Sequence, residues 1–511
     1  MNLLYPNGTE HIEKISDTTY QNLAIEEIVD MVGVTKEEKD LIRGVLGVLP
    51  KDENTVVYRQ EILKDLIDNE DFCNELAEIL KGLDILKEFN THNHFSAVKR
   101  ASLWNLIDYM SEMDIYIKIV EDLSKLLEDY EMQSKGLKEI KTLLADVINM
   151  DQIDELKEIV NSLRAEISTL KSITVGINLS PELHPEEVRV LGFNTVPFFS
   201  KFSKTNWGAS FSSGYRVRYK EPSQFMKYIC DDMENALSKS VQSYKSELKK
   251  YINFKGYFLL DICNDLKFYL LMAKFGRRLS SKGYSFSYPV INSNNTSVKI
   301  EGVYNVRLIN KEVENIVKND FEFSEKEKVF ILTGPNRGGK TMLTQAVGIT
   351  ALFASQGLFV PADSYEGYIF DNILTHFPAD ENETIDLGRL GEEAVRIQKI
   401  VKQTTDKTLV LLNETYSSTS AVDGVYLAKD LVHILKHKNV PTIFNTHLHD
   451  LARMTEEMNK WDGNGDVVSL TMEIVDNVNT YRVIRKMPDS SSFAKNIAFK
   501  YGVTYEQMME E

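Results

Sequence analysis

The sequence predicts a multidomain chain. An α-helical core carries a small β-rich insert between two long helical segments, and an α/β domain follows. Three observations predict this. Apolar residues recur at three-and-four spacing through residues 56–90, 101–172 and 231–280. Residues 173–230 lose that period and turn to strand-like alternation with Gly- and Ser-rich segments. From about residue 285, short aliphatic runs alternate with helical stretches, the pattern of a parallel sheet wound with helices.

In chain order, "VVYRQEILKDLIDNEDFCNELAEILKGLDILKEFN" opens the helical core. Further on, Ile153, Leu156, Val160, Leu163, Ile167 and Leu170 step by three and four and form a seam of heptad type, which reads as core packing. The insert contains "SITVGINLSPE", the aromatic-rich "LGFNTVPFFSKFSK" and "NWGASFSSGYRVRYKEPS". Helix returns with Leu237, Val241, Tyr244, Leu248, Tyr251 and Ile252 on one side. In the last part "KVFILTG", "KTLVLLNE" and "NVPTIFNTH" read as buried strands, with helices at 340–356, 390–403 and 424–438 between them.

At 511 residues the chain exceeds one ordinary domain. Being 43% hydrophobic and 26% charged, it can bury real cores and reads as soluble. The net charge of −17 argues against a protein that coats nucleic acid all over, so any such contact requires a local patch. Cys73, Cys230 and Cys263 are odd in number and show no pairing pattern, which points to a reducing compartment. The N-terminus has no basic region followed by an apolar one, and no run of about 18 apolar residues occurs. A cytoplasmic chain without membrane attachment is expected.

Residues 330–341, "FILTGPNRGGKT", satisfy G-x-x-x-x-G-K-S/T through Gly334, Gly339, Lys340 and Thr341, with a strand before and a helix after. The stretch Gly334, Pro335, Asn336, Gly338 and Gly339 would wrap around phosphate oxygens, its three glycines letting backbone N–H groups turn inward. Lys340 would neutralise the β- and γ-phosphates, and the helix beginning there aims its positive end at the same anion. Thr341 offers a hydroxyl to Mg²⁺, so ATP and Mg²⁺ are the expected cofactors. The strand "LVLLNE" delivers Glu414 to position or deprotonate the attacking water, with Asn413 where an acid usually helps to hold the metal. His447, at the end of "FNTH", is a second catalytic candidate, placed to sense the γ-phosphate. With His449 it forms an H-x-H pair, a spacing too weak to argue for zinc.

These residues resemble the MutS family of DNA mismatch-repair ATPases. "TGPNRGGKT" is similar to the specific family loop T-G-P-N-x-G-G-K-S/T, and "SQGLFVPADS" to the segment after it. "NETYSSTSAVDG" resembles D-E-x-G-x-G-T-S-x-x-D-G and keeps Glu414, Thr419, Ser420, Asp423 and Gly424. "FNTHLHDL" and "DSSSFAKNIAFKYGVTYEQMM" resemble later family stretches, and "VVYRQEILKDLIDNEDF" the start of its helical core. The resemblance implies lever helices carrying a DNA clamp, and an ATPase domain of ABC type. It divides the chain into a helical core and first lever (1–172), clamp (173–230), returning lever (231–285) and P-loop ATPase domain (286–511). In the clamp, Lys201, Lys204, Arg216, Arg218 and Lys220 lie in a stretch free of acids and interleaved with aromatics, the candidate DNA-binding surface. Five phosphate contacts would give a salt slope of roughly −4.5 per subunit.

The chain departs from the family pattern in four places. The helical core begins within about the first 50 residues, so the family's mismatch-reading and connector domains are not expected, and Phe323-Ser324-Glu325 matches the reader motif by chance. Asn413 stands in place of the family's Asp, which predicts slow but real hydrolysis and long-lived ATP states. In the segment that reaches the partner's γ-phosphate in the family, Thr384 and Arg389 are the candidates here. The family's C-terminal dimerisation tail is missing or minimal, so a homodimer formed through the ATPase face, and open to control by ATP, is expected. The leading expectation is a MutS-like ATP-dependent DNA-binding protein of repair or recombination. The alternative is an ATPase switch acting on protein partners without mismatch recognition.

Overall fold

The structure is a computed structural model that describes residues 1–8, 12–91, 103–149, 152–183, 185–197, 229, 232–233, 258–311, 313, 315–378, 388–476, 478–488 and 502–509. Two compact units emerge. One comprises Asn2–Glu70, Gln133–Gly136 and Asn264–Glu511, and the other Met1, Asp71–Met132 and Leu137–Cys263.

The first unit is organised by a six-stranded sheet. In spatial order its strands are Asn372–His376, Thr408–Asn413, Thr442–Asn445, Glu327–Thr333, Asp466–Val475 and Val478–Arg485. The first five are parallel, and the last returns antiparallel as a hairpin. The aliphatic runs read as strands are these central ones. Thr408–Asn413 and Thr442–Asn445 are buried at every position, as expected where helices cover both faces of a parallel sheet. Val329, Ile331, Val410, Leu412, Phe444 and Leu435 form the core between the sheet and the helix Ala421–His437.

The helix Lys340–Ser355 runs almost wholly buried, consistent with its apolar character all round. Gly348 lies on it where an added Cβ would come within 2.6 Å of both Leu23 and Leu411. Residues 2–70, read from the sequence with the helical core, pack in this unit. Thr19 Oγ1 donates to Ile373 O at 3.0 Å, and Gln345 Nε2 donates to Asn22 O at 2.8 Å. These are contacts between distant segments, which local periodicity does not encode. A four-stranded sheet formed by Val290–Ile291, Ser364–Gly367, Val298–Val303 and Asn319–Phe323 completes the unit.

Among the described residues the second unit is helical, with one hairpin. Phe72, Leu76, Leu80 and Leu83 line the buried side of the helix Glu70–Thr91. Of the heptad seam, Ile153, Leu156, Val160 and Leu163 are buried in the helix Gln152–Thr169. Lys157 pairs with Glu121 at 2.7 Å, and Arg164 pairs with Asp114. Their order shows the helix running antiparallel to Leu103–Asp129. Ser172–Leu179 and Pro185–Asn194 then form an antiparallel hairpin where the sequence alternates. The helix Phe258–Ser281 begins in this unit and continues into the first. Cys73 and Cys263 are buried. Among the described residues no helix is long and apolar enough to cross a membrane.

Candidate functional site

The site is built where three parallel strands end side by side. Glu327–Thr333 leads into the glycine loop 334–339, Thr408–Asn413 ends at Asn413 with Glu414 next, and Thr442–Asn445 leads to His447. The loop turns because its glycines permit it. Gly334 has φ +139° and Gly339 φ +91°, values that L side chains rarely adopt. A Cβ at Gly334 would also meet Met472 Cβ at 2.9 Å. Arg337, at the exposed turn, has φ +61°.

Lys340 is buried, and its Nζ donates to the carbonyls of Gly334 and Pro335, each at 3.1 Å. Burial pushes its pKa below the ordinary value, while the charge of Glu414 acts the other way. Thr341 Oγ1 donates to Asn413 Oδ1 at 3.1 Å. Glu414 sits in left-handed backbone, φ +54°, with its N–H bonded to Asn445 O at 2.9 Å. Its Oε1 lies 2.9 Å from His447 Nε2. Thr446, whose N–H bonds to Leu332 O at 2.9 Å, fixes the strand end that presents His447. Burial pushes the His449 pKa down, and the proximity of His447, Arg453 and Lys340 adds to this.

Gly338, Gly339, Lys340, Thr341, Glu414 and His447 share one cavity of about 560 Å³, together with Asn336. Gly334, Pro335 and Asn413 lie behind that lining, bonded to Lys340 and Thr341. Thr341 Oγ1 and Asn413 Oδ1 are neutral oxygen donors, a chemistry that fits a hard cation such as Mg²⁺ shared with phosphates.

Several neighbours were not found from the sequence. Asn305, in one wall of the cavity with Val303 and Tyr304, donates through Nδ2 to Met342 O at 3.0 Å and ties that wall to the start of the helix. Tyr481, at φ +58° in its strand, lines the same cavity over Gly339. Asn445 Nδ2 donates to Asn413 Oδ1. Glu393 accepts from the Tyr416 amide at 2.8 Å and the Ser418 hydroxyl at 2.9 Å, and pairs with His376 at 3.0 Å. Burial opposes the ionised form of Glu393, but the His376, Tyr416 and Ser418 bonds outweigh it and hold the pKa below the ordinary carboxylate value. The one signal available for Asn445 was a second apolar strand ending in an amide, "TIFN". Lys201, Lys204, Arg216, Arg218, Lys220 and Thr384, and the side chain of Arg389, lie outside the described residues.

A parallel sheet whose strand runs through a glycine loop into a buried helix, with an acid presented at the end of the next strand but one, defines a P-loop protein. A model described as MutS domain V matches residues 330–508, and one described as the MutS2 N-terminal domain matches residues 51–282. The chain belongs to the MutS family. It is 27% identical over 439 residues to a DNA mismatch repair protein MutS of Clostridioides difficile, covering 82% of this chain and 45% of that one. It is 25% identical to an Endonuclease MutS2 of Caldicellulosiruptor saccharolyticus, covering 77% of this chain and 51% of that one. A MutS of Fervidobacterium nodosum is 24% identical, covering 93% of this chain and 60% of that one. The chain thus spans about half the length of the curated relatives it matches.

Proposed function

We propose that this chain is a MutS-like, ATP-dependent DNA-binding protein in which nucleotide binding and slow hydrolysis drive the state of a DNA clamp. The observation that carries the reading is the convergence of Lys340, Thr341, Glu414 and His447 on one cavity. On arrival of ATP, Lys340 exchanges its two loop carbonyls for phosphate oxygens, while the amides of Gly338 to Thr341 bind the remaining charge. Thr341 and Asn413 would hold Mg²⁺, which neutralises charge building on the phosphates. Glu414 orients a water and takes its proton as the water oxygen bonds to the γ-phosphorus and the bond to the leaving ADP oxygen breaks. His447 holds the Glu414 carboxylate in place. With an amide at position 413 the cation is gripped without charge, so turnover is slow.

The domain division at 172, 230 and 285 belongs to this reading. The helical segments act as levers, and the stretch from Lys201 to Lys220 is the surface for duplex or branched DNA. Two chains close on ATP as a homodimer in the cytoplasm. To turn a 1:99 population into 99:1, ATP must favour the closed state by about 5.5 kcal/mol.

One observation favours a second reading, a switch acting on protein partners. The tip of the described hairpin carries Glu182, Glu186 and Glu187, in keeping with the net charge of −17. Mobility shifts on plain, mismatched and branched duplexes, with and without ATP, separate the two. The DNA reading expects a shift that changes with ATP and is lost in Arg216→Glu/Arg218→Glu. No shift on any DNA overturns it in favour of the second.

A further inference from the structure

Two side-chain amides meet beneath the phosphate loop. Asn413 and Asn445 are register partners on neighbouring parallel strands, 7% and 0% exposed. Asn413 Oδ1 accepts from two donors, Thr341 Oγ1 at 3.1 Å and Asn445 Nδ2. The same Asn445 nitrogen lies 3.5 Å from Thr341 Oγ1, and the Asn445 carbonyl accepts the N–H of Glu414. Asn445 Oδ1 is buried with no partner among the described residues.

A carboxylate presents an acceptor whichever way it turns. An amide has an acceptor end and a donor end, and its rotation decides which one faces the site. With the donor end turned toward Thr341, Asn413 would set N–H groups against the threonine hydroxyl and against any cation held there. A lone Asn413 has no intrinsic reason to choose the productive rotamer. Asn445 supplies one in the orientation it holds here, because the Nδ2 it turns toward Asn413 forms a hydrogen bond only with the oxygen end. An alanine or valine would fill the strand position without leaving a buried acceptor unpaired, so packing does not explain an amide at position 445.

We infer that Asn445 is a positioning residue that locks Asn413 oxygen-first toward Thr341, so that the amide pair forms one neutral oxygen site where a single carboxylate would need no support. This rests on the nucleotide reading above and adds to it a residue that acts only through Asn413. It also explains why two polar side chains share a fully buried register pair next to Glu414.

The test is the ATP-induced rise in melting temperature across a Mg²⁺ titration, read for wild type, Asn445→Ala, Asn413→Asp and the double variant. Asn445→Leu serves as a near-isosteric second variant should the alanine protein not fold. Loss of the partner should raise the Mg²⁺ needed for half the effect about tenfold, the low end of what a supporting hydrogen bond contributes. Stabilisation by ATP without Mg²⁺ should stay the same. When Asn413→Asp is already present, the further change at position 445 should be nearly silent, because a carboxylate needs no orienting. An unchanged Mg²⁺ requirement in Asn445→Ala and Asn445→Leu, or a loss from Asn445→Ala that is just as large when combined with Asn413→Asp, overturns the inference. A wild-type protein that ATP fails to stabilise at any Mg²⁺ concentration overturns the nucleotide reading, and this inference with it.

Discussion

The Glu414 carboxylate lies 2.9 Å from His447 Nε2, joining the ends of two adjacent parallel strands at the mouth of the phosphate-loop cavity. Because His447 bonds to the carboxylate proposed to be catalytic and Lys340 bonds to the loop, the two should separate kinetically. His447→Gln should lower kcat about 100-fold, the lower range for a positioned acid–base group, with ATP affinity by calorimetry nearly unchanged. An equal loss in affinity and turnover would place His447 in ground-state binding instead.

Lys340 should reveal itself in the free protein. Burial lowers its pKa below the ordinary 10.5, so the folded chain gives up that proton at lower pH than the unfolded chain does. Between the lowered value and 10.5 the unfolded state binds more protons, and stability rises with pH. Below that window the penalty is fully present. Lys340→Met should therefore melt at or above the wild-type temperature at neutral pH while losing all stabilisation by ATP. A marked drop in melting temperature would contradict this.

Glu393 anchors the turn that follows Glu414, through the Tyr416 amide and the Ser418 hydroxyl. Burial alone would raise its pKa, but the hydrogen bonds hold it below 4.5. Its contribution is thus present above 4.5 and lost as pH falls through the lower folded value. Glu393→Gln should flatten the acid limb of stability against pH and slow turnover. Parallel pH profiles for the two proteins would show that the cluster does not support the turn.

The phosphate loop and the buried strands were legible because their information is local. Gly334 to Thr341 are contiguous, and an all-apolar run such as "LVLL" announces burial by itself. The pairs between elements were not legible. Asn413 meets Asn445 only because the sheet places the strands Thr408–Asn413 and Thr442–Asn445 side by side, and His376 meets Glu393 only because the helix Gly388–Gln403 packs on the strand Asn372–His376. Glu393 falls in the stretch 390–403 read as helix, and nothing local marks its three bonds. The packing of Thr19 and Asn22 against the strand Asn372–His376 joins residues some 350 positions apart, beyond any periodicity.

Gly348 offers a stability test free of the chemistry. In an exposed helix interior, Gly to Ala gains about 1 kcal/mol. Here the new methyl would approach Leu23 and Leu411 at 2.6 Å, and overpacking costs about 1–3 kcal/mol. Gly348→Ala should therefore destabilise, read as a lower denaturant midpoint at unchanged slope. A stabilised variant would mean that the N-terminal residues do not pack on this helix as described.

The most direct test of the account is steady-state ATP turnover by wild type and Glu414→Gln at several Mg²⁺ concentrations. The account predicts slow Mg²⁺-dependent hydrolysis by the wild type, reduced about 100-fold in the variant with ATP binding retained. Identical rates for the two proteins would contradict it.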